Sequence, residues 1–252
     1  MSLFGRNVSG TSIHAQRTIA MPSAHDAAQT LRQTERVRAE LAALRARDSV
    51  VLEPGDDIGV AIATIGKTGG VLILAEGTWD VNATIPVATA GIKLFGVTPE
   101  RCVFRKTAVN ANPLFSVTAS RFELHGIGVI DAASTGGAVV SLGSGAQHFV
   151  MSNCRIASCY RAVHATTARY GHVNSTVISG ATAEAIRLDD SDYWTIGPNP
   201  YLAATAEVVY ADDTSDWVVL VGNQALGTGV LSVKAGSNYQ AAANAAVLTV
   251  RP

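Results

Sequence analysis

An internal repeat constrains this chain more than any other feature of its sequence. Six segments that each begin with an apolar–polar–apolar triplet follow one another at spacings of 25, 23, 23, 23 and 22 residues. Because successive side chains of a strand point to opposite faces, the first and third residues of each triplet should be buried and the middle residue should face outwards. The first positions are Phe115, Val140, Val163, Ile186, Val209 and Leu231, and the third positions are Val117, Leu142, Ala165, Leu188, Ala211 and Val233.

Two further columns recur within each unit. An aromatic residue follows the triplet, at Phe122, Phe149, Tyr170, Trp194, Trp217 and Tyr239. Glycine or asparagine comes four to six residues later, at Gly126, Asn153, Asn174, Asn199, Asn223 and Asn244. These two residue types tolerate positive φ best, so the pattern predicts a tight bend there in every unit. One aromatic residue per unit predicts a ladder of stacked rings, which we favour over a sugar-binding platform at Trp194 and Trp217.

The repeat predicts an all-β fold in which about seven rungs of 22–25 residues coil and stack as parallel strands. The segment before the repeat predicts a short helix from Asp57 to about Ile65, a break at Gly69-Gly70 and a strand from Val71 to Leu74. We therefore place the coil, with its N-terminal capping helix, in residues 54–252.

Residues 1–53 differ in character from the coil. The first 22 residues are polar and unpatterned, and we expect an extended anchoring arm there. Residues 23–53 are predicted to form an α-helix and a linker, because Ser23 and Asp26 fit a capping box and the residues that follow form a short heptad seam. The seam fits either a trimeric coiled coil or a helix packed on its own domain.

The coil resembles the single-stranded right-handed parallel β-helix proteins of the pectate-lyase-like superfamily. The likeness rests on the unit length, on the asparagines at a turn, and on the opening segment DDIGVAIATIGKTGGVLILAEGTWDVNATIPV, which is similar to the family's capping helix and its GGxVxxxxGTYxV pattern. The order of arm, helix and coil resembles phage tailspikes and head-spike or capsid decoration proteins. The resemblance implies the fold, but lyases, hydrolases and non-enzymatic virion spikes share it.

Composition excludes several functional classes. The chain has 19 Lys and Arg against 20 Asp and Glu, a net charge of −1, so it lacks the basic excess that binds nucleic acid. Its apolar runs fall short of the roughly 18 residues that a membrane span needs. The first residues lack the apolar stretch of a secretory leader, and we expect assembly in a host cytoplasm. The three cysteines have no zinc-type spacing, and we expect neither a metal nor a cofactor.

Four carboxylates form the densest polar constellation. Asp189 and Asp212 occupy equivalent positions in adjacent units, as do Asp190 and Asp213. Stacking would place equivalent carboxylates about 4.8 Å apart, near the ~5–5.5 Å of a retaining glycosidase pair, and such a cluster also suits Ca²⁺. A solvated turn explains the same residues, because two carboxylates at this spacing in water repel by only about 1 kcal/mol. We favour the turn; if the protein is an enzyme, these four residues are its catalytic candidates.

The arm supplies the predicted binding residues. It contains apolar and basic side chains but no acidic residue. Such a segment cannot form a core of its own, so it should become ordered by lying on another protein. We expect the major capsid protein or another virion protein to be that partner, and the anchoring residues to be Phe4, Arg6, Ile13, Arg17 and Ile19.

The sequence therefore favours a non-enzymatic virion protein, a homotrimeric head decoration or spike protein of a phage that is attached through its arm. The last four units are only 22–23 residues apart, which leaves no long loop to enclose a substrate cleft. The alternatives are a tailspike-type polysaccharide depolymerase, either a glycoside hydrolase or a lyase, and a spike that binds host surface polysaccharide. A cellular carbohydrate-active enzyme is disfavoured because no leader is apparent.

Overall fold

The triplet columns stack in register in the structure, a computed structural model. Each first-position residue pairs with the next in the order Phe115, Val140, Val163, Ile186, Val209, Leu231. The third positions pair in the same way, and both columns are buried wherever their side chains are described. The predicted periodicity of the coil is therefore confirmed.

The structure describes residues 49–65, 69–107, 110–130, 132, 137–225, 230–234, 239–242, 244 and 247–251. The predicted arm (1–22) and the predicted α-helix with its heptad seam (23–48) lie outside the described residues.

Three parallel sheets run along the coil. Sheet A contains β1 (Ser49–Leu52), β2 (Gly70–Leu74), β5 (Ile92–Gly96), β8 (Glu123–His125), β11 (Val150–Ser152), β14 (His172–Asn174), β17 (Thr195–Ile196), β20 (Val218–Val221) and β22 (Tyr239–Ala242). Sheet B contains β4 (Ile85–Val87), β7 (Phe115–Val117), β10 (Ala138–Leu142), β13 (Arg161–Thr166), β16 (Ile186–Asp189), β19 (Val209–Ala211), β21 (Val230–Lys234) and β23 (Val247–Arg251). Sheet C contains β3 (Gly77–Val81), β6 (Cys102–Lys106), β9 (Gly128–Ile130), β12 (Arg155–Ala157), β15 (Val177–Ala181) and β18 (Tyr201–Ala204).

Each regular turn of the coil passes through sheets B, A and C in that order. The described residues thus form an all-β parallel coil of about seven turns with one short helix, which matches the predicted single-stranded right-handed β-helix.

The short helix α1 (Ile58–Thr64) begins after Asp57, whose carboxylate accepts a hydrogen bond from the Val60 N–H at 3.0 Å. Its buried residues are Ile58 and Ile62. Strand β1 precedes the helix and pairs with β2. The coil therefore begins before residue 54, and residues 49–52 of the predicted linker belong to sheet A.

The predicted aromatic column divides into two ladders. Phe122, Phe149 and Trp194 are buried, and neighbouring ring centroids lie 6.1 Å apart. Tyr170 and Trp217 instead have exposed fractions of 44% and 54%. The prediction of a single ladder is therefore wrong.

Strand register causes this division. In the pairing of β11, β14 and β17, Gly171 lies level with Phe149 and Trp194, whose rings are buried. Tyr170 lies level with the residues that immediately precede those two rings in the sequence. A Cβ atom on Gly171 would lie 2.4 Å from the Trp194 indole. Gly171 therefore leaves the interior space that the indole of the next rung fills.

The predicted bend is also only partly correct. Gly126 and Asn153 have positive φ values of 64° and 51° as predicted. In the next three rungs the left-handed residues are Ser175, Gly197 and Gly222, whereas Asn174, Asn199 and Asn223 are not in that region. Asn199 and Asn223 have another role.

Asn199, Asn223 and Asn244 form an internal hydrogen-bonded ladder beside the bend. Asn199 Nδ2 donates to Asn223 Oδ1 at 2.9 Å, and Asn223 Nδ2 donates to Asn244 Oδ1 at 3.1 Å. Each amide also donates to a backbone carbonyl of the preceding rung. Because buried carbonyls need a partner, the asparagines supply hydrogen bonds that the backbone cannot make at this corner.

We predict that Asn223→Ala destabilises the protein by about 3 kcal/mol, because it leaves buried donors and acceptors unpaired in two rungs. Asn174→Ala is the matched control, since the Asn174 side chain makes no hydrogen bond to a described residue. It should change the free energy of unfolding by less than about 0.5 kcal/mol. Urea unfolding measures both, and equal losses would contradict the assignment of the ladder.

Candidate functional site

Asp189 lies at the end of β16 on the outward face of sheet B and is held by two partners. Arg187 Nε donates to Asp189 Oδ2 at 2.8 Å, and the His164 Nε2 atom lies 2.9 Å from the same oxygen. Partial burial raises the pKa of Asp189, but the hydrogen bonds from Arg187 and His164 outweigh it and hold that pKa below its usual value. Asp189 is thus ionised at neutral pH.

Asp212, one rung later, has different partners. Its Oδ1 atom accepts hydrogen bonds from the Ser215 hydroxyl at 2.7 Å, the Thr214 hydroxyl at 2.9 Å and the Asp190 backbone N–H at 3.1 Å. Asp190, with φ of 49°, and Asp213 are exposed. Asp212 therefore closes its own turn and supports the preceding one.

The partners of Asp189 and Asp212 do not suit these two residues to act as the pair of a retaining glycosidase. Such a pair requires one protonated carboxyl that donates to the leaving group. Asp189 is held as a carboxylate by Arg187 and His164, and Asp212 is occupied by its turn. In the part of the chain that the structure describes, no group of three or more His, Cys, Asp and Glu side chains could hold a metal ion.

The partners of Asp189 belong to a larger charged network on sheet B. Arg187 also pairs with Glu184 at 3.1 Å, and Glu184 pairs with Arg161 at 2.5 Å. The Arg187 guanidinium lies 5.0 Å from the centre of the Tyr210 ring. Two carboxylates balance two guanidinium groups in this network, which makes it a structural surface rather than a strongly charged binding site.

We predict that Asp189→Asn lowers stability at pH 7 by about 1–2 kcal/mol, because it removes two partly buried charged interactions. The folded pKa of Asp189 is lowered, so this contribution is present above the unfolded pKa and is lost as the pH falls through the folded pKa. The difference from the wild type should therefore shrink below about pH 4. Denaturant unfolding at pH 7 and pH 3 measures it, and a stabilising substitution would contradict the ion pairs.

The most distinctive exposed feature is an outer ladder of rings, comprising His148, Tyr170, Tyr193 and Trp217. Consecutive ring centroids lie 4.8, 5.0 and 6.4 Å apart, with interplanar angles of 9°, 13° and 2°. Tyr193 is 45% exposed, similar to its neighbours. The rings therefore stack along the coil axis and present their edges to solvent.

Every residue of the outer ladder has a left-handed backbone. The φ values are 57°, 61°, 61° and 58° in chain order, and Arg121 at the preceding rung has 62°. Large L-residues adopt this conformation at a cost of about 1–2 kcal/mol. The fold needs a bend between sheets B and A, but glycine or asparagine would provide it with less strain.

A polar rim and a small cavity adjoin the outer ladder. Arg169 pairs with Asp192 at 3.3 Å, and Asp192 accepts a hydrogen bond from the Asp216 N–H at 3.0 Å. Each of these residues immediately precedes a ladder residue. A cavity of about 240 Å³ at the far end is lined by Trp217, Val218, Val219, Tyr239 and Gln240.

The cavity beside α1 and the three cysteines are weaker candidates for a functional site. A cavity of about 810 Å³ lies beside α1, but its carboxylates have structural roles, because Asp57 caps the helix and Asp80 pairs with Arg105 at 2.7 Å. The cysteines are free and buried, and burial raises the pKa of Cys154 and Cys159 to about 12, so they are poor nucleophiles. The predicted capsid-anchoring residues Phe4, Arg6, Ile13, Arg17 and Ile19 lie outside the described residues.

No known family model matches this chain, and no curated protein matches it. Among solved structures, the catalytic domain of a GH87 α-1,3-glucanase in complex with nigerose is similar, with a TM-score of 0.52, 15% identity, and coverage of 79% of this chain and 38% of that domain. This likeness, together with the three stacked sheets, decides the architecture. The chain is a right-handed β-helix protein.

The β-helix is also similar to ORF18 of Geobacillus virus E2, with a TM-score of 0.46, 11% identity, and coverage of 85% of this chain and 62% of that one. Pectin methylesterase PemA from Erwinia chrysanthemi has a TM-score of 0.42 and 10% identity, with coverage of 76% and 80% respectively. The β-helix thus spans less than two thirds of the viral protein and of the glucanase domain. At 15% identity, the likeness to the glucanase domain shows a shared fold alone.

Proposed function

We propose that the protein is a polysaccharide-binding spike of a phage particle, and that the β-helix holds the glycan along the outer ladder. The observation that carries this proposal is the exposure of stacked aromatic rings at the same strained backbone position in consecutive rungs. Strain of this kind persists where the surrounding structure enforces it, and it is concentrated at functional sites.

The energetic balance supports a binding role. Stacking of neighbouring rings contributes about 0.5–1.5 kcal/mol for each pair, which offsets the left-handed backbone only in part. The four ladder residues thus add little to stability, yet all four are exposed, and the exposed fractions of Tyr170, Tyr193 and Trp217 are 44%, 45% and 54%. Exposed Tyr and Trp of this kind are typical of binding surfaces, because each combines an apolar ring with a polar tip.

The chemistry of the outer ladder matches a sugar. A pyranose ring has apolar C–H faces and hydroxyl edges, and the ladder offers apolar ring edges together with polar tips. Among the described residues, the hydroxyls of Tyr170 and Tyr193 and the indole N–H of Trp217 have no hydrogen-bond partner. These groups are available to a glycan that runs along the coil.

The hydrogen bonds of Asp189 and Asp212 favour binding of the glycan over cleavage of its backbone by this pair. Asp189 is held ionised by Arg187 and His164, and Asp212 is used to close its turn. Neither is available as the proton donor of a glycoside hydrolase.

The position on a virion is the part of the proposal that rests on the sequence. The order of arm, helix and coil resembles phage spikes, and the heptad seam of residues 23–48 fits a homotrimer. Three arms acting together would strengthen weak contacts of Phe4, Arg6, Ile13, Arg17 and Ile19 with a capsid protein through effective concentration.

We predict that Tyr193→Asn and Trp217→Ala each weaken binding to an array of purified bacterial surface polysaccharides at least about tenfold. Asparagine suits the left-handed backbone, so Tyr193→Asn should change the free energy of unfolding by less than about 1 kcal/mol. Tyr201→Ala, on sheet C, is the control for the loss of an aromatic ring elsewhere. Unchanged binding by the two ladder variants, or no polysaccharide bound by the wild type, would refute the proposal.

A second prediction concerns the arm. A protein that lacks residues 2–22 should remain folded and keep its polysaccharide binding but lose its attachment to undecorated phage particles. Co-sedimentation with particles measures the attachment. Undiminished attachment would mean that the coil, and not the arm, contacts the virion.

A further inference from the structure

A Ser–His–Glu arrangement lies on the outward face of sheet A. The Ser152 Oγ atom lies 2.5 Å from His125 Nδ1, and His125 Nε2 lies 3.0 Å from Glu123 Oε2. Glu123 and His125 alternate on β8, so they share a face, and Ser152 pairs in register with His125 on the next rung. Stacking thus brings the three side chains together in one chain of hydrogen bonds.

The neighbours of the imidazole fix its orientation and tautomer. The Phe95 ring stacks on His125 with a centroid distance of 4.5 Å and an interplanar angle of 10°. Lys93 Nζ lies 2.6 Å from Glu123 Oε1, so the other carboxylate oxygen is left to accept the His125 Nε2–H. With the proton on Nε2, Nδ1 carries the lone pair that accepts the Ser152 hydroxyl proton.

An asparagine lies on the other side of the serine. Ser152 pairs in register with Asn174 on β14, about 4.8 Å further along the sheet. The Asn174 amide makes no hydrogen bond to a described residue, and both side chains are half-buried. A side-chain amide next to a nucleophile is a type of group that can stabilise a developing oxyanion, and the register places Asn174 on the rung that follows Ser152.

We propose that Ser152 and His125 are the nucleophile and the base of an acyl-ester hydrolase site, that Glu123 is a positioning residue, and that Asn174 donates to the oxyanion. The arrangement satisfies the geometric requirement of a nucleophile bonded to a base that a third group orients. The site is separate from the outer ladder and acts on a pendant ester rather than on a glycosidic bond.

The reaction balances with water as the second substrate. Ser152 Oγ bonds to the ester carbonyl carbon while its proton passes to His125 Nδ1. The C–O bond to the alcohol then breaks, and the alcohol leaves with that proton. A water molecule then gives a proton to His125 Nδ1 and attacks the acyl carbon. The bond between Ser152 Oγ and that carbon breaks, which releases the carboxylic acid, and Ser152 Oγ takes the proton back from His125.

The test uses the full chain and a fluorophosphonate probe, which forms an Oγ–phosphorus bond with an activated serine as fluoride leaves. Peptide mass spectrometry should locate the label on Ser152. The label should be absent in Ser152→Ala and reduced at least about 100-fold in rate in His125→Ala. Ser141→Ala is the matched control, because Ser141 also pairs in register with a histidine, His164, but makes no hydrogen bond to it in the described structure.

Hydrolysis of 4-methylumbelliferyl acetate gives the second readout. Asn174→Ala should lower kcat about 100-fold with little change in KM. Glu123→Gln should also lower kcat, and Glu123→Asp, which keeps the carboxylate, should lower it less. Labelling of Ser141 equal to that of Ser152, or hydrolysis unaffected by Ser152→Ala in folded protein, would overturn the proposal. Neither readout involves polysaccharide, so a negative result here leaves the proposed glycan binding standing.

Discussion

In-register parallel stacking is the constraint on which the rest of this structure depends. Each side chain has as its nearest neighbours the residues one rung before and one rung after it, at the strand spacing of about 4.8 Å. In a column of similar residues, each side chain therefore contacts the next. The triplet positions form the apolar interior, Asn199, Asn223 and Asn244 form an amide ladder, and the outer ladder is a stack of rings. A shift of one residue in the pairing register of a strand moves its side chains to a different column.

The sequence was sufficient to predict the coil, because the triplet columns carry both the period and the burial pattern. It was insufficient at the corners, where the turns vary in length. There, aligning residues of similar type does not reveal a register error of one residue. Tyr170 belongs with the outer ladder because Gly171, and not Tyr170, aligns with Phe149 and Trp194. The doublets His148-Phe149 and Tyr193-Trp194 hold the signal that could have revealed both ladders.

The same limit applies to the site residues. The position of Asp189 and Asp212 in adjacent turns was predictable from their spacing, but the roles of Arg187 and His164 depend on which outward residues reach the carboxylate. The arrangement of Glu123, His125 and Ser152 was not predicted, because it joins two rungs and contains no local motif. It could be found only once the pairing of β8 with β11 was known.

Three surfaces of one chain have three different proposed tasks. The arm is proposed to attach the protein to a particle, the corner between sheets B and A to bind polysaccharide, and the face of sheet A to remove acyl groups. Ser152 lies four residues after His148, about 13 Å along the chain direction at most, so a glycan held on the outer ladder would extend close to the proposed ester site.

Tryptophan fluorescence tests the central claim, that polysaccharide binds on the outer ladder, most directly. Trp79 and Trp194 are 2% and 0% exposed, whereas Trp217 is 54% exposed, so quenching by acrylamide reports chiefly on Trp217. Saturating polysaccharide should shift the emission to the blue and protect Trp217 from acrylamide, and Trp217→Phe should abolish both effects. Unchanged quenching of Trp217 in a protein saturated with polysaccharide would contradict the account.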